Sequence, residues 1–311
     1  MLLSVVIVNW NSRDDLRACL ASLRSQTHRE LEVIVVDNGS TDGSAEMVVA
    51  EFPECRLLGQ SQNLGFAEAC NVGIDVSRGL WVAMLNNDTV ADARWAEALV
   101  AAAADAPPNC GMLQSLLLFR DRPDTINSTG IELTYSGGGR DRDGGKPRAF
   151  RTAPGEIFCP TAGAAAYRRA MLDAIRLPEG YFDREHFMYY EDLDLGWRAR
   201  LGGFTARYVP ESVVYHKWHG SSDRHGPSWL VVTAHTNRLR TLLKNASPWF
   251  IVRSWPRSAL EIGLLIWHGR LRGLSGLARA VERSLARRSN VTKIAKLDRR
   301  VVERAWTAKP S

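Results

Sequence analysis

The sequence predicts an α/β fold built on a mostly parallel sheet. Strand-like and helix-like stretches alternate four times in about 90 residues, which is the pattern of parallel strands joined by crossover helices. The first of these strands is a largely β-branched apolar run, as a strand buried on both faces is. Each strand or the turn after it also runs out into a polar cluster, at Asn9-Trp10-Asn11, Asp37-Asn38-Gly39-Ser40, Asn63-Leu64-Gly65 and Asn86-Asn87-Asp88. Parallel strands bring such ends to one edge, where the ligands of open α/β sheets bind.

Residues 2–8 form the first expected strand. Ser12 then reads as a helix N-cap, with Asp15 completing a near capping box, and Leu16, Cys19, Leu20 and Leu23 fall on one helix face. Residues 32–36 are the second strand, 44–51 a helix, and 56–58 a third short strand. A turn at 63–66 leads into a helix over 67–76, followed by an apolar strand over 80–85. An Ala-rich helix over 91–104 stops before Pro107-Pro108. Residues 136–146 read SGGGRDRDGGK. Glycines and charges without an apolar anchor predict a mobile loop, either a disordered insertion or a lid over a site. Order returns over 181–204, where an aromatic lead-in precedes a helix ending in Arg198, Arg200 and the stop Gly202-Gly203. Residues 212–215 are a strand and 216–225 a polar segment; the remainder is helical and basic, with Trp249, Trp255 and Trp267.

Composition narrows the function classes. With 311 residues, 45% hydrophobic and 24% charged, the chain suits one large domain or two smaller ones. Cys19, Cys55, Cys70, Cys110 and Cys159 include no CxxC pair, which argues against a zinc site or disulfide framework and fits a reducing compartment. The apolar start is too short for a signal peptide. The longest apolar candidate for a membrane span, residues 259–267, is interrupted by Glu261. From Arg238 onward 17 Lys/Arg face 4 Asp/Glu, against 23 and 30 before it. A basic tail interleaved with tryptophans suggests an anionic membrane surface, with a plain solvated helical cap as the alternative. No nucleic-acid module accompanies it, so nucleic acid is not an expected partner.

The Asn-Asn-Asp cluster sets amide groups and one hard anionic oxygen at a strand end, which suits a phosphorylated ligand and its cation. Asn and Asp are also common turn residues. No GxGxxG follows the first strand and no Walker-type GxxxxGK occurs, which counts against a dinucleotide dehydrogenase and excludes a Walker NTPase.

The segments VVIVNWNS, LEVIVVDNGSTDGS, QNLGFAEACNVGI, WVAMLNNDT and YFDREHFMYYEDLDLGWR, in that order, resemble family 2 glycosyltransferases over about residues 3–245. The chain is most similar to the rhamnosyltransferase-like branch that builds bacterial surface polysaccharides. The resemblance implies a GT-A fold, an α/β sandwich with a mostly parallel central sheet. Its nucleotide-sugar half would span 1–115, its acceptor-binding half 116–237, and a basic helical C-terminal extension 238–311. It implies inverting transfer from a nucleoside diphosphate sugar to a glycan or polyprenyl-linked acceptor, assisted by a divalent cation, Mn²⁺ or Mg²⁺. The location expected is cytoplasmic, peripheral on the inner face of the membrane.

By the same resemblance Asn9, Trp10 and Asn11 line the base and ribose pocket, and Asp37 accepts a hydrogen bond from the base. Asn63 and Gly65 edge the nucleotide site, supported by Asn71 and Asp75, while Asn86, Asn87 and Asp88 take the phosphate and metal edge. Many members carry two carboxylates there; this chain has Asp88 alone, which lowers the charge offered to a cation. His216 is the implied second metal ligand, with His219 and Ser221 as alternative diphosphate contacts. Asp192 is the implied base that takes the acceptor hydroxyl's proton, and Glu191 places the acceptor or fixes the loop. Both, with Asp194, also complement a helix N-terminus, which lowers a carboxylate's pKa, whereas three crowded acids raise it. Residues 158–164 either floor the donor-sugar and acceptor site or pack against the sheet. The competing readings are a sugar nucleotidyltransferase, which usually has a Gly-rich basic loop where Asn9-Trp10-Asn11 stands, and a non-catalytic nucleotide-sugar-binding partner.

Overall fold

The computed structural model of the chain describes residues 1–217, 227–267 and 271–307. Strands β1 (Leu3–Asn9), β2 (Leu31–Asp37), β3 (Arg56–Gly59) and β4 (Trp81–Leu85) alternate with helices α1 (Arg13–Arg24), α2 (Ser44–Glu51) and α3 (Phe66–Val76). β1 pairs in parallel with β2 and β4, and β2 in parallel with β3. Val6 packs into the core on one face of the sheet, and Leu3, Val5 and Ile7 into the core on the other. β1 is apolar but for Ser4, whose buried Oγ donates to Glu32, and its terminal Asn9, because both its faces are covered. α1 buries Leu16, Cys19, Leu20 and Leu23. Ser12 is its N-cap by position, but its Oγ donates to the Trp10 carbonyl at 3.4 Å instead of accepting from the helix.

The helix expected from residue 91 starts later. Thr89–Ala91 is a short strand, β5, and α4 runs Trp95–Ala104. There follow β6 (Cys110–Phe119), β7 (Ile126–Ser128), β8 (Ile131–Leu133), β9 (Gly139–Asp141), β10 (Gly155–Ile157), β11 (Ala164–Arg168), α5 (Arg169–Ile175), α6 (Glu191–Leu201) and β12 (Thr205–His216). The main sheet runs β10-β12-β6-β11-β4-β1-β2-β3. Only β10 and β11 on that path run against their neighbours. The carboxyl ends of β1, β2, β4 and β12 therefore share one edge. β5 pairs antiparallel with β12, setting Thr89 opposite His216. That pairing brings Asp88 beside His216.

Residues 136–146 are not a loose insertion. β8 and β9 form a two-stranded sheet, and Gly137, at φ +73°, leaves no room for a Cβ against Leu242. Its neighbours contact the body of the protein; the glycines serve a turn and a close approach.

The tail folds back as α7 (Pro227–Asn245), α8 (Pro248–Trp267), α9 (Leu271–Ile294) and α10 (Arg299–Trp306). Phe250, Val291 and Val302 join the core that holds Trp197 of α6. Lys244 bonds Asp183 at 2.6 Å and Asp194 at 2.8 Å, Arg238 pairs with Glu261, and Arg287 reaches Glu179, Asp183 and Glu185. Part of the tail's positive charge thus answers carboxylates within the protein. Among the described residues no helix is long and apolar enough to cross a membrane.

Candidate active site

A cavity of about 530 Å³ lies at the shared strand-end edge, a volume typical of small-molecule sites. It collects Trp10, Asn63, Gly65, Asn86, Asn87, Asp88, Glu191, Asp192 and His216 into one lining. Asn9, Asn11 and Asp37 stand behind that lining. Asn9 Nδ2 donates to Asp37 Oδ1 (3.3 Å) and Ser40 Oγ (3.2 Å), while its Oδ1 accepts from Asn87 Nδ2 (2.8 Å). Asn11 Oδ1 accepts from the Thr41 amide at 2.7 Å. These bonds tie the ends of β1, β2 and β4 together beneath Trp10 and Asn87.

On the next turn Asn63 Oδ1 accepts from Asn38 Nδ2 and from the Gly65 amide, both at 2.9 Å. Gly65 has φ +84°, and a Cβ there would sit 2.5 Å from Phe187 Cδ2, so the position takes glycine alone. Asn71 brackets the Phe182 backbone with two 2.9 Å bonds. Asp75 instead pairs with Arg176 at 3.3 Å on the surface.

Asp88 Oδ1 lies 3.2 Å from His216 Nε2, and both side chains are largely buried. His216 Nδ1 lies 2.8 Å from Asn127 Oδ1. An amide oxygen only accepts, so Nδ1 donates to Asn127 and Nε2 is the ring nitrogen that faces the Asp88 carboxylate. An imidazole nitrogen beside a carboxylate oxygen is a pair that could hold a divalent cation, and the Asn127 contact is the outer support that metal-ligating histidines receive. Among the described residues no group of three or more His, Cys, Asp or Glu could hold a metal ion; a cation here would draw its remaining ligands from diphosphate and water. His219 and Ser221 lie outside the described residues.

Asp192 sits in the first turn of α6. Burial, the largest influence, pushes its carboxyl up to about 6, against hydrogen bonds from the Leu193 and Ala162 amides; the Asp141 charge adds to the rise. Burial and then Asp192 push Glu191 well above the usual carboxylate range. Asp194 adds a smaller push to Glu191 but is not itself raised. Burial works to raise it, yet Lys244 and then Arg198 hold it below its ordinary value, and its pairs to them are 2.8 and 2.9 Å. Residues 158–164 divide between their two expected roles. Thr161, Ala162 and Gly163 line the cavity, while Cys159 packs against Gly196 of α6, where a Cβ would overlap it.

Four further residues stand outside the motifs named from the sequence, although Arg140 and Asp141 lie in the 136–146 stretch expected to be an insertion or a lid. Arg140 and Asp141 enter the lining from β9. Asn127 sits on β7, and Asn237 of α7 donates from Nδ2 to the carbonyls of His186 (2.7 Å), Met188 and Tyr189 (both 2.9 Å). Asn237 thereby holds a segment in which Phe187, Tyr189 and Tyr190 all have positive φ.

Residues 4–176 match the family model described as Glycosyl transferase family 2, and the chain belongs to that family, on a GT-A fold. Within it the chain falls in the rhamnosyltransferase-like branch. It is 28% identical over 253 residues to the N-acetylglucosaminyl-diphospho-decaprenol L-rhamnosyltransferase of Mycobacterium tuberculosis, covering 71% of this chain and 78% of that one. Among solved structures it is similar to GalNAc-T7 with UDP, GalNAc and Mn²⁺ (TM-score 0.62, 18% identity, 78% of this chain and 48% of that one). It is also similar to the mannosyltransferase PcManGT of Pyrobaculum calidifontis with GDP-Man and Mn²⁺ (TM-score 0.54, 17% identity, 98% and 87%). At such identities the structural likeness speaks for the fold alone.

Proposed function

We propose that this chain transfers a sugar, with inversion, from a nucleoside diphosphate sugar to a hydroxyl of a glycan or polyprenyl-linked acceptor. We place it peripherally at the cytoplasmic membrane face, in bacterial surface-polysaccharide or cell-wall synthesis. The observation that carries the reading is the placement of Asp192, a carboxyl raised to about 6, in one cavity with the Asp88–His216 pair. The lipid-linked acceptor of the mycobacterial relative supports the acceptor class.

In this reading Trp10, Asn63 and Gly65 hold the nucleotide, and Asn86 and Asn87 hydrogen-bond ribose or phosphate. Asp192 takes the proton of the acceptor hydroxyl as its oxygen attacks the anomeric carbon, and the bond to diphosphate breaks with its electron pair leaving on the diphosphate. Glu191, buried beside Asp192 with its carboxyl raised well above the usual range, fixes the acceptor side of the site. A divalent cation held by Asp88 and His216 would offset the charge developing on the leaving group.

Hydrolysis of a panel of nucleoside diphosphate sugars, with and without Mn²⁺, tests this. Asp192→Asn should cost about 10²–10⁴-fold in rate, and Asp88→Asn should remove the stimulation by Mn²⁺. Wild-type rates in both variants would sink the assignment.

A further inference from the structure

We infer that the outward face of α8 is seated on a lipid bilayer bearing anionic headgroups. The inference rests on the membrane placement proposed above and assigns it to one helix. α8 is inside out for a helix in water. Beyond Phe250, which enters the core, its buried side is polar: Ser254, Ser258 and Glu261 are 1–3% exposed. Ser258 Oγ accepts from Arg238 Nη2 (2.7 Å), and Glu261 accepts from Arg238 Nε and Arg257 Nε (both 2.8 Å). Its outward side is apolar: Trp249, Val252, Trp255, Leu260 and Leu264 are 43–66% exposed. Trp249, Val252, Pro256, Leu260 and Leu264 recur at three and four along one stripe, with Trp255 beside it. Exposed apolar residues scattered singly are ordinary; a continuous stripe on one helix marks a contact surface.

Charge selects the occupant. The charged residues of α8 are Arg253, Arg257 and Glu261, and Glu261 is buried among cations. The outward side therefore has no carboxylate and is flanked by two partly exposed arginines, Arg257, which also pairs with Glu261, and Arg253, which lies over the Tyr135 and Phe250 rings. Indole rings beside cations match the headgroup layer of an anionic bilayer. A second copy docked by a twofold axis would bring the same arginines together. The location suits the substrate as well. Arg257 Nη1 donates to Ser136 Oγ at 2.8 Å, in the turn that leads into β9, whose Arg140 and Asp141 line the cavity. A bilayer on α8 would keep the head of a lipid-linked acceptor near the cleft while its tail stays in the lipid.

The test is sedimentation of the full chain with phosphatidylglycerol-containing and pure phosphatidylcholine vesicles, beside Trp249→Ser/Trp255→Ser/Leu260→Ser, with donor hydrolysis followed in both proteins. Wild type should prefer the anionic vesicles, and the variant should bind them about tenfold more weakly or less, with hydrolysis of soluble donor unchanged. Variant binding equal to wild type would place the contact elsewhere and overturn the assignment. So would wild type that ignores anionic vesicles, or that self-associates in light scattering through these three residues. Wild type that binds vesicles in this α8-dependent way but never hydrolyses donor would support the surface and remove only the catalytic reading.

Discussion

Asp192 stands where two rules of charge oppose each other. The first turn of a helix favours an ionised carboxylate, while a low-dielectric wall and a neighbouring anion favour the protonated form; here the second pair prevails, and the carboxyl reaches about 6. A base works ionised, so kcat/KM should be flat above about pH 6 and fall as pH drops through it. Asp141→Asn removes one of the charges that raise Asp192 and should move that acid limb downward; a pH profile unmoved by the substitution would remove Asp141 from the site. Asp88, His216 and Asp192 were legible in the sequence because each ends a strand or opens a helix within a motif. Asn127 and Asp141 were not, because each matters through a residue distant in the chain, His216 for Asn127 and Asp192 for Asp141.

The segment before α6 is held rather than relaxed. Three non-glycine residues with positive φ cost free energy that the surroundings must offset, and Asn237 Nδ2 lies within hydrogen-bond distance of the carbonyls of His186, Met188 and Tyr189 in that segment. Asn237→Ala should lower kcat by about 10–100-fold through misplacement of the α6 start, while leaving the acid limb of the profile where it was. Alternation of strand and helix was plain from hydropathy, and so was the buried face of α1. The β8–β9 hairpin was hidden, since glycines that permit close packing have the composition of glycines that permit disorder. β5 was hidden because its Thr-Val-Ala pairs only with β12, and no local pattern announces that partner.

At the scale of the whole molecule, the acidic segment over 179–194 and the basic tail are two halves of one buried network. The sequence showed the opposite signs of the two regions but not that they meet. Lys244 bridges Asp183 and Asp194 with almost no exposure, and removing one member of a buried pair costs about 3–5 kcal/mol. Lys244→Met should therefore lower the unfolding free energy by about that amount in a denaturant titration. Burial works to raise Asp183, but Lys244 and His186 hold it far below its ordinary value, so its stabilisation is present at neutral pH and lost as pH falls. The β5–β12 pairing has a consequence for the chain as it is made. A ribosome delivers Asp88 well over a hundred residues before His216. A nascent chain could display every donor-side motif and still lack half of its cation pair, which closes only when β12 is laid down beside β5.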